Sequence, residues 1–324
     1  MQQMPAPRLF LVLLSLIGLT VTAFAEGDYP SRPVKIVVGF GPGSAADLTA
    51  RVLAQRLSKT MGQQFIVENK PGGGSTVAAE QVVRGPKDGY TLFMGTAANV
   101  INGVMQPNLN FDFSKDFAPV VYTTSSPNIL VVHPSTGVSN VKELIALLKA
   151  KPEGVFYGSS GVGTSPHLSG ELFNMMAGTK MVHVPYSGSA QAVTDLLAGR
   201  TQVMFSPAST VLQYVAAGQL KALASSERTR AAAAPDLPTV AEAGLPGFDT
   251  SVWFGVVGPT GIPREIVEKL SAAIGEALRN DEVTKPLHAA GLDIKGGTPE
   301  QFGAYIASET KKWNDVVTAA GLRK

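Results

Sequence analysis

The chain has 324 residues, of which 44% are hydrophobic and 16% are charged, and it contains no cysteine. This composition supplies enough apolar side chains for the core of one large or two ordinary domains and excludes a disordered chain. A formal net charge of +2 argues against nucleic acid as the main partner, and the lack of cysteine excludes disulfides, thiolate metal sites and a cysteine nucleophile.

Residues 1–25 have the pattern of an export signal. Arg8 is the one charged residue, an apolar run over residues 9–19 follows it, and the segment ends in Ala-Phe-Ala at residues 23–25. Ala23 and Ala25 are the small residues at the two positions that signal peptidase recognises. The apolar run is shorter than the roughly 20 residues of a membrane-spanning helix. We therefore predict cleavage near Ala25 and export of the mature chain rather than a membrane anchor.

The first part of the mature chain alternates strands and helices. Short apolar runs, mostly β-branched, predict strands at Val34–Val38, Phe65–Glu68 and Tyr90–Met94, and apolar residues at helical spacing predict helices at Ser44–Met61 and Ser75–Arg84. Strands that alternate with helices in this way form a parallel sheet with helices on its faces.

A second alternation of the same kind follows. Strands are predicted near residues 129–132, 155–157, 182–184, 203–205 and 221–224, and helices at 141–149, 165–176, 189–197 and 210–217. One more strand at residues 251–257 and three helices after Pro263 complete the chain. Two such sets predict an α/β protein of two lobes. Lobe 1 would comprise residues 26–124 plus 250–324 and lobe 2 residues 125–249, with crossings near 120–125 and 249–252 as the hinge.

A glycine-rich turn links the first strand to the first helix. It reads Gly-Phe-Gly-Pro-Gly-Ser over residues 39–44. Glycine lets another group approach the backbone, and a helix N-terminus presents unpaired N–H groups to a carboxylate or phosphate. Ser44 can cap the helix or bind a ligand. The turn is equally consistent with an anion site and with an ordinary capped helix.

The same turn partly matches the dinucleotide-binding fingerprint. Gly41, Gly43 and Ala46 have the required spacing, and Glu68 ends the second strand, where a ribose-binding acid would lie. Such a short glycine pattern is weak, and an exported protein meets no free pool of nicotinamide dinucleotide. A dinucleotide-dependent oxidoreductase is therefore the alternative function.

The predicted second lobe has similar strand ends. Glycines and hydroxyl residues follow the strand at 155–157 over residues 158–167, the segment 183–190 repeats this arrangement, and Ser206 ends a further strand. Ligands of open α/β sheets collect at the carboxyl ends of the strands. Ser165 and His167 are too close along one helix start to form a catalytic pair, and the four histidines lack metal-ligand spacing. We predict neither a catalytic residue nor a metal site.

Several short motifs occur in order along the whole mature chain. They are the segments at residues 29–34, 42–47, 67–72, 86–92, 157–168, 171–173, 183–186, 237–239, 242–244 and 246–248, together with Arg51. In this order they resemble the Bug-type periplasmic substrate-binding proteins of the tripartite tricarboxylate transporter family.

The resemblance implies a two-lobed Venus-flytrap fold, type II-like, in which each lobe is a mostly parallel sheet flanked by helices. It implies a periplasmic monomer, without cofactor or catalysis, that captures a small organic carboxylate for membrane transporter subunits and binds no nucleic acid. An exported ligand sensor with the same fold is a further alternative. The carboxylate would be held by the loop at 42–44, with the other lobe closing from 158–165 and 185–189.

Relatives often have an acidic residue where this chain has Ser206, which argues against an amino-acid ligand. The identity of the carboxylate stays open. The candidate ligand-binding residues are Phe40, Pro42, Gly43, Ser44, Asp47, Ser159, Gly163, Thr164, Ser165, His167, Pro185, Tyr186, Ser187, Ser189 and Ser206.

Overall fold

The computed structural model describes residue 1 and residues 29–323. Apart from Met1, the predicted export signal and its cleavage position lie outside the described residues. Within them, no helix combines the length and the apolar character needed to cross a membrane.

The first set of elements leads from a buried strand into helices and back. In chain order the elements are β1 (Val34–Val38), α1 (Ala45–Met61), β2 (Phe65–Asn69), a 3₁₀ turn (Gly73–Ser75), α2 (Thr76–Val83), β3 (Thr91–Thr96), α3 (Ala97–Met105) and α4 (Phe113–Asp116). Helix α1 forms because its apolar residues recur at helical spacing, and it buries Leu53 and Leu57 against the sheet.

The second set follows the longest strand. Its elements are β4 (Phe117–Val132), a 3₁₀ turn (Pro134–Thr136), α5 (Val141–Ala150), β5 (Phe156–Ser159), α6 (Ser165–Ala177), β6 (Val182–Pro185), α7 (Ser189–Leu197), β7 (Val203–Pro207), α8 (Ala208–Ala216) and β8 (Lys221–Ser225). The last part contains β9 (Ser251–Pro259), α9 (Arg264–Ala277), α10 (Asp281–Ala289), β10 (Asp293–Ile294) and α11 (Pro299–Ala319).

Two sheets share strand β4. In sheet 1 the strand order is β2-β1-β3-β9-β4, with β10 also on β4; β1, β2 and β3 are parallel, and β9 and β10 pair antiparallel with their neighbours. In sheet 2, β5, β6 and β7 are parallel, and β4 pairs antiparallel with β7 and β8. The prediction of parallel strands with helical connections is confirmed for these two sets of three strands.

Strand β4 passes from one sheet to the other. Its residues 117–127 pair with β9, and its residues 128–132 pair with β7 and β8. Only residues 129–132 were predicted as a strand from the sequence. The part that pairs with β9 contains Pro119 and Pro127, and its register with β9 shifts twice. Proline and bulges obscure a strand pattern because they interrupt the hydrogen-bond ladder.

Helices α3 and α4 and strand β10 were also absent from the sequence prediction. Helix α3 contains Asn99, Asn102 and Gly103, which have poor helix propensity. It is stabilised instead by packing, because it buries Val100 and Ile101 in the core. Tertiary contacts therefore override the local preference.

Helix α11 packs against elements of both sheets, including α3, β4 and α6. Its Glu309 is 2% exposed. The Glu309 carboxylate accepts hydrogen bonds from the indole N–H of Trp253 in β9 (3.1 Å) and of Trp313 (3.0 Å), and it pairs with Lys312. The Lys312 ammonium group also donates to the carbonyl oxygen of Asp249 (2.7 Å). This buried group fixes α11 to the chain segment that joins the two sheets.

Candidate functional site

A cavity of about 330 Å³ lies between the two sheets, at the carboxyl ends of β1, β3, β5 and β7. It is lined by Phe40, Ser44, Ala45, Ala46, Gly74, Thr96, Ala97, Ala98, Asn102, Ser160, Val162, Gly163, Thr164, Ser165, Pro166, Pro207, Val252 and Phe254. Larger grooves lie beside α4 and beside the start of α11, away from these strand ends. Carboxyl ends of strands are where open α/β sheets bind ligands, so this cavity is the candidate site.

The turn after β1 forms one wall of the cavity and requires glycine at two positions. A Cβ atom on Gly39 would lie 1.8 Å from the Ser75 hydroxyl oxygen, so a side chain there would displace the neighbouring loop. Gly43 has φ +82°, in the left-handed region that L side chains rarely adopt. The turn then leads into α1, whose N-cap Ser44 accepts a hydrogen bond from the backbone N–H of Asp47.

Asp47 is a buried residue that holds this turn in place. Its carboxylate accepts hydrogen bonds from the Gly43 N–H (2.9 Å), the Asn69 amide (2.8 Å) and the Arg51 guanidinium (3.0 Å). Burial by itself raises the pKa of Asp47, but these hydrogen bonds and the Arg51 charge outweigh burial and hold the pKa below its usual value. Because its oxygens are used inside the protein, Asp47 positions the loop and does not line the cavity.

Three helices begin at the cavity. The first turns of α1, α3 and α6 all contribute lining residues. Within the described part of the chain, the backbone N–H groups of Ala45, Ala46, Ala97 and Ala98 have no hydrogen-bond acceptor. First-turn amides and the positive end of the helix dipole favour an anion. The cavity can therefore hold a carboxylate without a cationic side chain.

The loop after β5 forms the opposite wall and is supported from below by two stacked histidines. The Gly163 N–H donates to Nδ1 of His167 (3.1 Å), and the Ser159 hydroxyl contacts Nε2 of His183 (2.7 Å) and accepts from the Gly161 N–H (3.1 Å). The two imidazole rings stack with centroids 4.0 Å apart. His167 and Ser159 thus shape the loop and lie beneath the cavity.

Both histidines are neutral in the folded protein at neutral pH. Burial, together with the neighbouring His183, lowers the pKa of His167 to about 3, and burial lowers the pKa of His183 to about 4. The neutral form is required here, because Nδ1 of His167 can accept the hydrogen bond from the Gly163 N–H only while that nitrogen carries no proton.

This pair predicts a pH dependence of stability. Histidine in the unfolded chain has a pKa of about 6.5, so below that pH the unfolded state binds protons that the folded state does not. The free energy of unfolding should therefore fall as the pH decreases from about 6.5 towards 4, by at most about 1.4 kcal/mol per pH unit for each group. Urea titrations of the wild type and of His167→Gln should show a shallower slope for the variant. The exposed control His288→Gln should keep the wild-type slope, and equal slopes in all three proteins would contradict the assignment.

The two walls of the cavity touch each other. A Cβ atom on Gly163 would lie 3.2 Å from the Met105 sulfur at the end of α3, and Gly163 has φ +78°. The loop after β5 therefore packs directly against a helix of the opposite sheet. The structure has the two sheets closed over the cavity at this point.

The structure brings five of the predicted site residues together at the cavity: Phe40, Ser44, Gly163, Thr164 and Ser165. Pro42 and Gly43 are exposed on the outer side of the first turn, and Asp47, Ser159 and His167 lie buried behind the two loops. None of these five appears in the cavity wall, although the hydrogen bonds of Gly43, Asp47, Ser159 and His167 hold the two loops that form it.

The remaining predicted residues lie further away. Tyr186 donates to the Asp195 carboxylate near the end of α7 (2.9 Å), and Ser187 donates to the Gln191 side chain in its first turn. Pro185 and Ser189 are on the same turn. Ser206 is buried in β7 opposite Ile129. Direct contact of these residues with a ligand stays a prediction.

The sequence interpretation missed the wall that α3 contributes. Thr96, Ala97 and Ala98 line the cavity because α3 begins directly at the end of β3. The signal was a Thr-x-x-Asn pattern after a strand: the Asn99 side chain accepts hydrogen bonds from the N–H (2.9 Å) and hydroxyl (3.1 Å) of Thr96. Val252, at the end of the predicted crossing near residues 249–252, and Phe254, two residues further along β9, also line the cavity, which was not predicted from the sequence.

No group of three or more histidine, aspartate or glutamate side chains is placed to bind a metal ion within the described residues. The cavity also has no acid–base pair among its lining residues. The arrangement is suited to binding an anion.

A family model described as the tripartite tricarboxylate transporter family receptor matches residues 49–322. The chain belongs to this family. The predicted resemblance is therefore confirmed, and with it the class of solute-binding protein. The receptor family consists of periplasmic solute-binding proteins.

Relatives of known sequence and structure match nearly the whole chain. Protein BugT of Bordetella pertussis is 32% identical over 319 residues, which cover 96% of this chain and 98% of BugT. R. palustris Rpa4515, whose structure was solved with adipate, is 36% identical in sequence to this chain. Its structure matches with a TM-score of 0.75, over 91% of this chain and 99% of Rpa4515. MatC from Rhodopseudomonas palustris with bound malate is 30% identical, with a TM-score of 0.72 and coverage of 89% and 100%. These similarities confirm the predicted two-lobed periplasmic binding fold for this receptor.

Proposed function

We propose that this receptor captures a small organic carboxylate in the cavity between the two sheets and delivers it to the membrane subunits of a tripartite tricarboxylate transporter. The observation that carries the proposal is the convergence of the first turns of α1, α3 and α6 on one cavity, where N–H groups of α1 and α3 have no acceptor among the described residues. The relatives with adipate and malate support a carboxylate as the bound anion.

The energetics of such a site are sufficient for transport. A charge-assisted hydrogen bond contributes about 1.5–3 kcal/mol, and the end of a partly buried helix contributes up to about 2 kcal/mol. A carboxylate that accepts several such bonds can reach the ~8 kcal/mol of a micromolar dissociation constant after ordering costs are subtracted. A ligand held by both walls also stabilises the closed arrangement, because the second set of donors reaches it only there.

The division into lobes belongs to the same proposal. Lobe 1 would be residues 26–124 plus 250–324 and lobe 2 residues 125–249. The change of pairing partner in β4 between Pro127 and Asn128 supports a hinge close to this boundary. There the Ser226 hydroxyl accepts from the Asn128 N–H and donates to the Thr250 carbonyl oxygen, so the crossing strands are tied together.

The mature protein would begin after cleavage near Ala25, act in the periplasm as a monomer and carry out no reaction. The residue types of the cavity agree with this assignment, since they can bind an anion and offer no general acid or base.

The direct test is to identify the ligand. Native mass spectrometry of the protein as purified from the periplasm should show one retained small acid, and thermal-shift measurements with a panel of carboxylates should raise the melting temperature for a subset of them. Nicotinamide dinucleotide is included in the panel for the alternative function. Stabilisation by the dinucleotide alone, with no response to any carboxylate, would refute the proposal.

A further inference from the structure

The cavity wall is predominantly apolar. Of the described residues that line it, none carries a charge, and ten are apolar: Phe40, Ala45, Ala46, Ala97, Ala98, Val162, Pro166, Pro207, Val252 and Phe254. Among them are Phe40 from the turn after β1 and Val252 and Phe254 from β9. A ligand in this space therefore meets carbon atoms over most of its surface.

Of the six polar side chains that line the cavity, three donate hydrogen bonds inside the protein, and the Ser160 hydroxyl has no hydrogen-bond partner among the described residues. The Thr96 hydroxyl donates to Asn99, the Asn102 amide donates to the Gly74 carbonyl oxygen (3.0 Å), and the Thr164 hydroxyl donates to the Gly161 carbonyl oxygen (2.7 Å). Ser44 and Ser165 each accept one hydrogen bond and keep a hydroxyl hydrogen to donate. Both lie at helix starts, which is where the carboxylate would sit.

On these observations, and resting on the proposed function, we propose that the ligand is a carboxylate with an unsubstituted alkyl or aryl body, and that the cavity discriminates against hydroxylated acids. The charged group lies at the helix starts, and the carbon body lies against Phe40, Val252 and Phe254. Each ligand hydroxyl buried against these three apolar side chains would lose its hydrogen bonds to water without finding a partner. Such a loss weakens binding by about tenfold or more for each hydroxyl.

Calorimetric titrations with matched acids test this inference on the mature protein freed of any retained ligand. Three pairs share a carbon skeleton and differ in hydroxyl groups: hexanoate and gluconate, adipate and galactarate, benzoate and 3,4,5-trihydroxybenzoate. In each pair that binds, the unsubstituted acid should bind at least about tenfold more tightly. Equal or tighter binding of a hydroxylated acid would overturn the inference while leaving carboxylate capture intact. Absence of binding by all six acids would overturn the inference, and the proposed function would then be decided by the retained acid and the wider carboxylate panel.

A substitution that keeps the shape of the cavity wall provides a second test of the inference. Val252→Thr replaces one methyl group at the cavity with a hydroxyl, and the side chain is only partly buried, so the fold should tolerate it. It should weaken binding of the unsubstituted acid by about fivefold or more. The affinity ratio between that acid and its hydroxylated partner should therefore become smaller. Val77→Thr, an exposed valine of α2 outside the cavity, is the matched control and should leave both values unchanged. If Val252→Thr keeps the wild-type affinity ratio between the two acids, Val252 does not contribute to the discrimination against hydroxylated acids.

Discussion

Gly163→Val should weaken ligand binding by about 10- to 100-fold while the protein stays folded. Gly163 lies in the loop that closes the cavity, and a Cβ atom there would be 3.2 Å from the Met105 sulfur on the opposite wall. The further methyl groups of valine would collide with α3 when the two sheets close. Overpacking of this kind costs about 1–3 kcal/mol, and it opposes the contact between the two walls on which the proposed binding depends. Calorimetry with the acid retained by the purified protein measures the effect.

Gly178→Val separates this collision from backbone strain. Gly178 has φ +61° at the end of α6, and a Cβ atom there would meet no atom within 4 Å. Valine at either position adopts a strained left-handed conformation, so both variants should lose some stability to denaturant. Only Gly163→Val should lose affinity. Wild-type affinity in Gly163→Val would show that the loop after β5 does not close on the ligand.

Glu309→Ala should lower the free energy of unfolding by about 3–5 kcal/mol, the range observed when one partner of a buried ion pair is removed. The Glu309 carboxylate is the acceptor for the indole N–H groups of Trp253 and Trp313 and pairs with Lys312. Its removal leaves two buried donors without an acceptor and an ammonium group without its counter-charge. Urea denaturation followed by tryptophan fluorescence measures the change, since both indoles report directly on this cluster.

Glu309→Gln keeps the protein measurable if the alanine variant does not fold. The amide oxygen can still accept from the indoles, so the loss should be smaller, about 1–3 kcal/mol for the missing charge-assisted bonds. Glu276→Ala, an exposed glutamate of α9, controls for the substitution itself and should change stability by less than about 0.5 kcal/mol. A loss in Glu309→Ala no larger than that of the control would show that the cluster does not hold α11 in place.

Elements with strong local signals were predictable from the sequence. The strand Val34–Val38 and the helix Ser189–Leu197 have the bounds predicted for them, because β-branched runs and helical spacing are properties of neighbouring residues. The first half of β4 and helix α3 were missed. Both violate local preference, one through its prolines and the other through its asparagines and glycine, and both are stabilised by distant contacts.

The site was predictable in part for the same reason. A glycine turn before a helix identifies a loop that can face a ligand, and Phe40, Ser44 and Gly163 in two such loops do line the cavity. The pattern does not tell which atoms of a loop face inward. Asp47 and His167 belong to the same motifs, yet they lie behind the loops, because each is the hydrogen-bond acceptor for a loop glycine.

By itself, the sequence determined that the protein has an α/β fold with strand–helix turns able to hold an anion, since those properties depend on residues a few positions apart. Only the tertiary structure decided that β4 joins the two sheets, that α3 adds a third helix start to the cavity, and that Val252 and Phe254 make its wall apolar. The physical reason is that a cavity is formed by residues distant along the chain. Its shape and polarity follow from packing between elements, which local periodicity does not encode.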